Sequence, residues 1–272
     1  MITDINFVRQ NLSEISPLAN KYSKGYGVIF AGSYKMAGAA VLCGKACLKS
    51  GAGIIRLVVD ERIYPICASS LLEAVYSFDD EEIDLEKAKA VAFGCGSSQS
   101  EKAEKTLLKL IRECKKPLVI DADGINILSH HIDVLNEKNC PVVLTPHEGE
   151  FVRLSGLSVD FIRANREKSA EDFARKYGVT LLLKGKDTVI TDGERTYINP
   201  TGSPALATAG SGDVLTGIIT AFLTNGIKPF EAAVSGAYIH GLSGEIAEKN
   251  LGARSVIASD IIEYLSDAFK EC

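Results

Sequence analysis

No stretch of about 18 consecutive apolar residues occurs in the 272-residue chain, so no transmembrane helix is expected. The first residues, Met1-Ile2-Thr3-Asp4, lack a basic segment followed by an apolar one, and no signal peptide is read. Internal repeats, low-complexity tracts and long linkers are absent. An excess of positive charge is missing too. The net charge of −5 argues against a general binder of nucleic acid or of anionic membranes, while leaving room for a local basic pocket. Cys43 and Cys47 stand four apart on an expected helix, but no His or Cys pair follows at metal-site spacing. The seven cysteines are odd in number and several lie in apolar stretches. They read as reduced, buried thiols of a cytoplasmic protein.

What is present is apolar content, 46% of residues, enough for a large core without metals or disulfides. That content excludes a disordered chain, and the composition excludes collagen-like and coiled-coil classes. Short β-rich runs alternate with helical patterns. Strands are expected at 26–31, 54–59, 90–93, 118–120, 142–144 and 181–183, with a hairpin formed by 189–191 and 195–198. Helices are expected at 36–50, 101–114, 160–177, 211–223, 230–248 and 260–269. Alternation of this kind implies βαβ units and a largely parallel sheet covered on both faces. The hairpin would make one edge antiparallel. The whole of 1–272 reads as a single α/β domain.

In such sheets ligands bind beyond the carboxyl ends of the strands. Five polar or Gly-rich clusters fall there: Ala31 to Ser33, Gly94 to Gly96, Asp121 to Gly124, Thr145 to Glu150 and Lys184 to Thr188. The sharpest signal lies later, at Thr208-Ala209-Gly210-Ser211-Gly212-Asp213, which opens an apolar helix. Glycines before a helix let backbone N–H groups face an anion, and the helix dipole favours negative charge there. No Gly-Lys-Ser/Thr follows, so this is not a Walker loop, and it is not a Rossmann fingerprint. Asp213 could simply complement the dipole from the first turn. It could also act as a base on a hydroxyl that attacks a phosphoryl group.

Gly210-Ser211-Gly212-Asp213 resembles the anion-hole motif of the ribokinase-like superfamily. The longer stretch from Asn199 to Gly217 resembles the signature of the ADP/ATP-dependent NAD(P)H-hydrate dehydratases. So do Thr145-Pro146-His147-x-Gly149-Glu150, Asp121-Ala122-Asp123-Gly124 and Lys184-Gly185-x-x-Thr188. The likeness runs from about Tyr26 to the C-terminus. It implies a ribokinase-like three-layer sandwich. It also implies a cofactor-repair lyase that restores NADH or NADPH from the S epimer of the hydrated cofactor. A nucleotide, ADP being the expected donor over ATP, would phosphorylate the ring hydroxyl, and phosphate would then leave.

The same resemblance assigns residues. Asp213 would be the base and touch the hydrated cofactor. Gly210, Ser211 and Gly212 would hold the transferring phosphoryl group. Lys184, Gly185, Lys186, Asp187 and Thr188 would line the nucleotide site. Ala39, Gly96 and His147 would contact the hydrated cofactor, and Asn126 could join them. Glu150 would belong to a Mg²⁺ shell, through water, since a hard cation suits a carboxylate better than His147. Relatives form tetramers, so a homo-oligomer is expected. About 25 residues precede the first strand, too few for an epimerase domain, so a separate epimerase is the expected functional partner.

Ala209 departs from a frequent glycine, and would narrow the loop if the position needed positive φ. Gly94-Cys95-Gly96 departs from a Gly-Pro/Leu-Gly turn. Two other functions fit the anion-hole motif: a vitamin-precursor kinase for hydroxyethylthiazole or hydroxymethylpyrimidine, and a nucleotide-binding sensor without turnover. His130 and His131 read as a solvated turn, His240 as a packing histidine, and Asp79 to Glu82 as a solvated loop. Asp121 and Asp123 could cap the next helix or face the pocket.

Overall fold

The computed structural model describes residues 1–12 and 16–272. Among them, the strands are β1 (Tyr26–Phe30), β2 (Ile54–Val59), β3 (Val75–Phe78), β4 (Ala90–Phe93), β5 (Leu118–Ile120), β6 (Val142–Leu144), β7 (Thr180–Leu183), β8 (Val189–Thr191) and β9 (Thr196–Ile198). The helices are α1 (Ile5–Asn11), α2 (Ala37–Lys49), α3 (Tyr64–Ser70), α4 (Glu101–Glu113), α5 (Asp123–His130), α6 (Glu148–Ser155), α7 (Val159–Ala164), α8 (Arg166–Tyr177), α9 (Ser211–Thr224), α10 (Pro229–Leu251), α11 (Ala258–Glu263) and α12 (Leu265–Glu271).

All strands join one sheet in the order β3-β2-β1-β4-β5-β6-β7-β8-β9. Pairing is parallel from β3 to β7 and antiparallel for β7–β8 and β8–β9. The expected mixed sheet with an antiparallel edge is present. The parallel strands are apolar because both their faces are covered. On β1, Ile29 packs into one core layer with α2, α9 and α10, and Val28 and Phe30 pack into the other with α4, α6 and α8. Helices thus cover both sides, giving three layers. The central pair α2 and α9 approach so closely that a Cβ on Gly217 would lie 2.2 Å from the Cys43 carbonyl oxygen. Outside β9, Thr3 N–H donates to the Ile198 carbonyl at 3.0 Å and Ile198 N–H to the Met1 carbonyl at 2.8 Å, so residues 1–3 run along that edge.

Chain order reverses between β1 and β4: β2 and β3 lie to one side of β1, and β4 to β7 to the other. Their carboxyl ends therefore diverge and leave a crevice, the switch point at which ligands bind open α/β sheets. Gly32 N–H, following β1, donates to the Cys95 carbonyl following β4 at 2.8 Å, which fixes the crevice floor.

Two helices differ from expectation. The segment expected as one helix over 160–177 is two, broken at Asn165, whose side chain donates to the Phe161 carbonyl and competes with the helical ladder. The segment 260–269 is likewise α11 and α12, divided at Tyr264 with φ −85° and ψ 0°. The polar clusters at 121–124 and 145–150 contain the first turns of α5 and α6.

Candidate active site

Four elements deliver polar groups to the carboxyl edge of the sheet. The loop before α9 comes first. Gly210 has φ +89°, and a Cβ there would lie 2.5 Å from Leu42 Cδ1, so only glycine makes this turn without strain. Ala209 is exposed and is not in the left-handed region, so its methyl group is accommodated. Ser211, Gly212 and Asp213 form the first turn of α9 without a side-chain cap; Ser211 N–H donates to the Thr208 carbonyl at 3.3 Å, and the N–H groups of Gly212 and Asp213 have no helical carbonyl to bond, as an anion site requires.

Asp213 is the perturbed carboxylate of the site. Burial, reinforced by the charge of Asp121, pushes it up to about 7, against opposing contributions from the Cys95 thiol and Lys184. A carboxylate in that range is poised to accept a proton at neutral pH.

Beneath the loop lies an ion pair. Lys184, at the end of β7, donates to Asp121 Oδ1 at 2.7 Å, and Thr216 of α9 donates to Asp121 Oδ2 at 2.9 Å. Asp121 is only 1% exposed. The Lys184 ammonium is therefore pinned under Gly212, where a Cβ would meet it at 3.3 Å. Burial acts to lower the Lys184 pKa, but Asp121 and Glu150 together carry it above the ordinary lysine value, so it remains charged. The rest of the cluster, Gly185 to Thr188, forms a turn closed by Thr188 Oγ1 donating to the Gly185 carbonyl at 2.9 Å. Gly185 takes φ +156° against Arg166, whose guanidinium donates to the carbonyls of Leu183 and Lys184 at 2.9 and 2.8 Å.

His147 and Glu150 do more than the sequence reading gave them. They form a capping box at the start of α6. His147 Nδ1 accepts from the amides of Gly149 and Glu150, and Glu150 Oε2 accepts from the His147 amide at 2.8 Å. An accepting Nδ1 requires the neutral ring. Burial, with Lys184 and Arg153 nearby, holds the His147 pKa below its ordinary value, in agreement. The neighbouring Lys184 N–H donates to the Pro146 carbonyl, tying the β6 loop to the β7 loop. Glu150 is buried, and burial raises its pKa.

Ala39 and Gly96 are brought together as expected: a Cβ on Gly96, at φ +61°, would lie 2.9 Å from Ala39 Cβ. Asn126 Oδ1 is taken by a fork from Arg153 at 2.8 and 3.1 Å. Asp123 accepts from the Ser98 amide at 2.9 Å and braces the loop after β4, whereas Asp121 turns inward. His240, expected to pack, does so beneath the anion loop, with Nε2 3.1 Å from Ser211 Oγ. Sequence reasoning missed Arg153, Arg166 and Thr216. Arg153 and Arg166 sit on helices among other polar residues and Thr216 inside the apolar α9, and none carries a local signal.

Burial lowers the His240 pKa to about 4, from 6.5. A depressed histidine adds stability that is complete above its unfolded value and is lost as pH falls toward the folded value. Wild-type protein should therefore lose about 3 kcal/mol between pH 6.5 and 4 that His240→Gln does not lose. Urea melts of both proteins across that range check this; equal pH slopes would refute it.

The sheet order, the switch-point crevice and the Gly-x-Gly-Asp loop define a ribokinase-like protein. Within that class, the sequence profile of the NAD(P)H-hydrate dehydratase family matches residues 27–267, and the chain belongs to that family. The chain is 31% identical to the ADP-dependent (S)-NAD(P)H-hydrate dehydratase of Bacillus subtilis, over 97% of this chain and 95% of that one. It is 37% identical to the bifunctional NAD(P)H-hydrate repair enzyme of Thermofilum pendens, over 93% of this chain but 51% of that protein. The chain thus spans about half the length of several curated relatives it matches. A crystal structure of the B. subtilis ADP/ATP-dependent NAD(P)H-hydrate dehydratase, co-crystallised with ATP and Mg²⁺, superposes with a TM-score of 0.87. It shares 30% identity, with 97% and 95% of the two chains covered. A hydroxyethylthiazole kinase of Pyrococcus horikoshii shares the fold at a TM-score of 0.67 and 17% identity.

Proposed function

We propose that this protein dehydrates the S epimer of hydrated NADH or NADPH in a nucleotide-dependent reaction, with ADP the favoured donor over ATP. The observation that carries the reading is Asp213, a half-buried carboxylate whose pKa is pushed up to about 7, in the uncapped first turn of α9. Asp213 takes the proton from the ring hydroxyl as its oxygen attacks the terminal phosphorus of the nucleotide. The bond from that phosphorus to the departing nucleotide breaks. Amides of Gly210 to Gly212 face the oxygens on which charge builds, with the Lys184 ammonium behind them. Hydroxide is a poor leaving group and phosphate a good one. The ring nitrogen lone pair expels phosphate, a proton leaves the adjacent carbon, and the double bond is restored.

His147, Ala39 and Gly96 line the cofactor side, and Lys184 to Thr188 the nucleotide side. A cavity of about 620 Å³ lined by Gly32, Tyr34, Arg62 and Ser97 adjoins the Gly32–Cys95 floor and leaves room for the remote half of a dinucleotide. Among the described residues no group of three or more His, Cys, Asp or Glu could hold a metal. The site therefore fits a Mg²⁺ carried by nucleotide phosphates rather than one held in a protein cage. Glu150 Oε1, free of the capping amide, would reach such an ion through water, and the ion would neutralise phosphate charge. A homotetramer, a cytoplasmic location and pairing with a separate epimerase complete the proposal, together with one domain over 1–272.

The test adds ADP or ATP separately to purified protein, Mg²⁺ and chemically hydrated NADH. A nucleotide-dependent return of the reduced-nicotinamide absorbance is expected, faster with ADP. Nucleotide binding without recovery of NADH would reject the dehydratase reading in favour of a small-molecule kinase or a sensor.

A further inference from the structure

Asp121 has no part in the chemistry above, yet it is the most buried charge beside it. It is 1% exposed, and both its oxygens are used, by Lys184 Nζ at 2.7 Å and by Thr216 Oγ1 at 2.9 Å. The three groups come from β5, β7 and α9, and Thr216 lies one turn beyond Asp213 on the same helix. The pair is packed against the anion loop: a Cβ on Gly212 would lie 3.3 Å from the ammonium and 3.5 Å from Asp121 Oδ2. The next residue, Ala122, holds φ +48° and ψ −116°, a conformation that is strained outside glycine. The backbone is thus strained where it turns Asp121 inward and Asp123 outward.

We propose that Asp121 is a positioning residue, anchored by Thr216, that fixes the Lys184 ammonium under Gly212 and sets the charge balance around Asp213. The proposal rests on the dehydratase reading for the identity of the transferred group, but not for the electrostatics. A lysine at the end of a strand has a flexible four-carbon stem. Held by a buried carboxylate with a second anchor, its ammonium has one place to be, and that place is against the phosphate-facing backbone. The groups facing Asp213 are Asp121 and Asp123 from the β5 turn, Cys95 from the β4 loop and Lys184 from β7. Cys43 of α2 lies against Cys95. Leu42 of α2 and Ala258 of α11 close the loop from the other side and carry no charge. Burial is the largest cause of the raised Asp213 pKa and Asp121 the next, while Lys184 opposes it. Asp121→Asn removes the charge that disfavours ionised Asp213 and releases the ammonium that favours it. The first change lowers the Asp213 pKa and the second raises it; the Asp121 charge is the larger influence, so Asp213 becomes a weaker base.

A merely structural ion pair would not produce that signature. The experiment follows the carboxyl carbons of ¹³C-aspartate-labelled protein through a pH titration without substrate, assigning Asp213 by its absence in Asp213→Asn. The Asp213 midpoint, about 7 in wild type, is expected to fall by on the order of one unit in Asp121→Asn. Thr216→Val keeps the carboxylate charge but removes one anchor. It is expected to leave the midpoint in place and weaken Mg²⁺-ADP binding several-fold by calorimetry. An unmoved midpoint in folded Asp121→Asn overturns the proposal, as does wild-type ADP affinity in Thr216→Val, which decides the matter should Asp121→Asn not fold. Neither readout needs turnover, so failure of the dehydratase assay and failure of this proposal are separable.

Discussion

Asp213→Asn is expected to slow recovery of NADH from its hydrate by about 10²–10⁴-fold, equivalent to about 3–5 kcal/mol of transition-state stabilisation. ADP affinity by calorimetry should stay within a few-fold of wild type. Asparagine keeps the shape and the place in the first turn of α9, and the amides of Gly210 to Gly212 proposed to bind the nucleotide are unchanged. What is lost is the proton acceptor. The wild-type pH profile carries the same information. The base must be ionised, so the rate should climb as pH rises through about 7 and level off above it. The residual activity of the asparagine variant should lack that limb. Unchanged turnover would remove Asp213 as the base.

Gly94→Ala is expected to cost about 2–6 kcal/mol and to lower the melting temperature accordingly, or to leave the chain unfolded. Gly94 sits at φ +127°, and a Cβ there would lie 1.9 Å from the Asp121 carbonyl oxygen and 2.8 Å from the Gly124 amide nitrogen. The contact is backbone to backbone, so no side-chain rotation relieves it. The turn after β5 would have to move, carrying Asp121 and its partners with it. Where folded protein is recovered, ADP affinity should fall as well as stability. A variant that melts with wild type would show that the β4 and β5 turns are not wedged together.

Much of this arrangement is written locally in the chain. Parallel strands buried on both faces must be continuously apolar, and Gly or Pro punctuation marks their ends. Hence Ile54–Val59, Ala90–Phe93, Leu118–Ile120 and Val142–Leu144 are readable to the residue. The edge strand β3 was not read, because Val75 to Phe78 is half exposed and flanked by acidic residues. The glycine loop and Asp213 are legible because glycine spacing, a helix start and an acid lie within a few residues of one another. The bonds of Asp121 are not, since its partners stand 63 and 95 residues away and leave no mark on any spacing. His147 illustrates a middle case. A His-x-x-Glu at the start of a helix has the geometry of a capping box, yet the same letters suggest a ligand pair.

The strip formed by residues 1–3 along β9 has a consequence for how the molecule behaves among copies of itself. A strand at the end of a sheet offers unpaired N–H and C=O groups, a template on which another chain can add. Here the first residues of the chain occupy that template through Thr3 and Ile198, with Phe7 of α1 stacked on Tyr197 of β9 at 5.0 Å behind them. The polypeptide thus plugs its own adhesive margin with its leading end. Proteolytic trimming of those few residues would leave every group of the crevice in place, yet expose a bare, pairing-competent border.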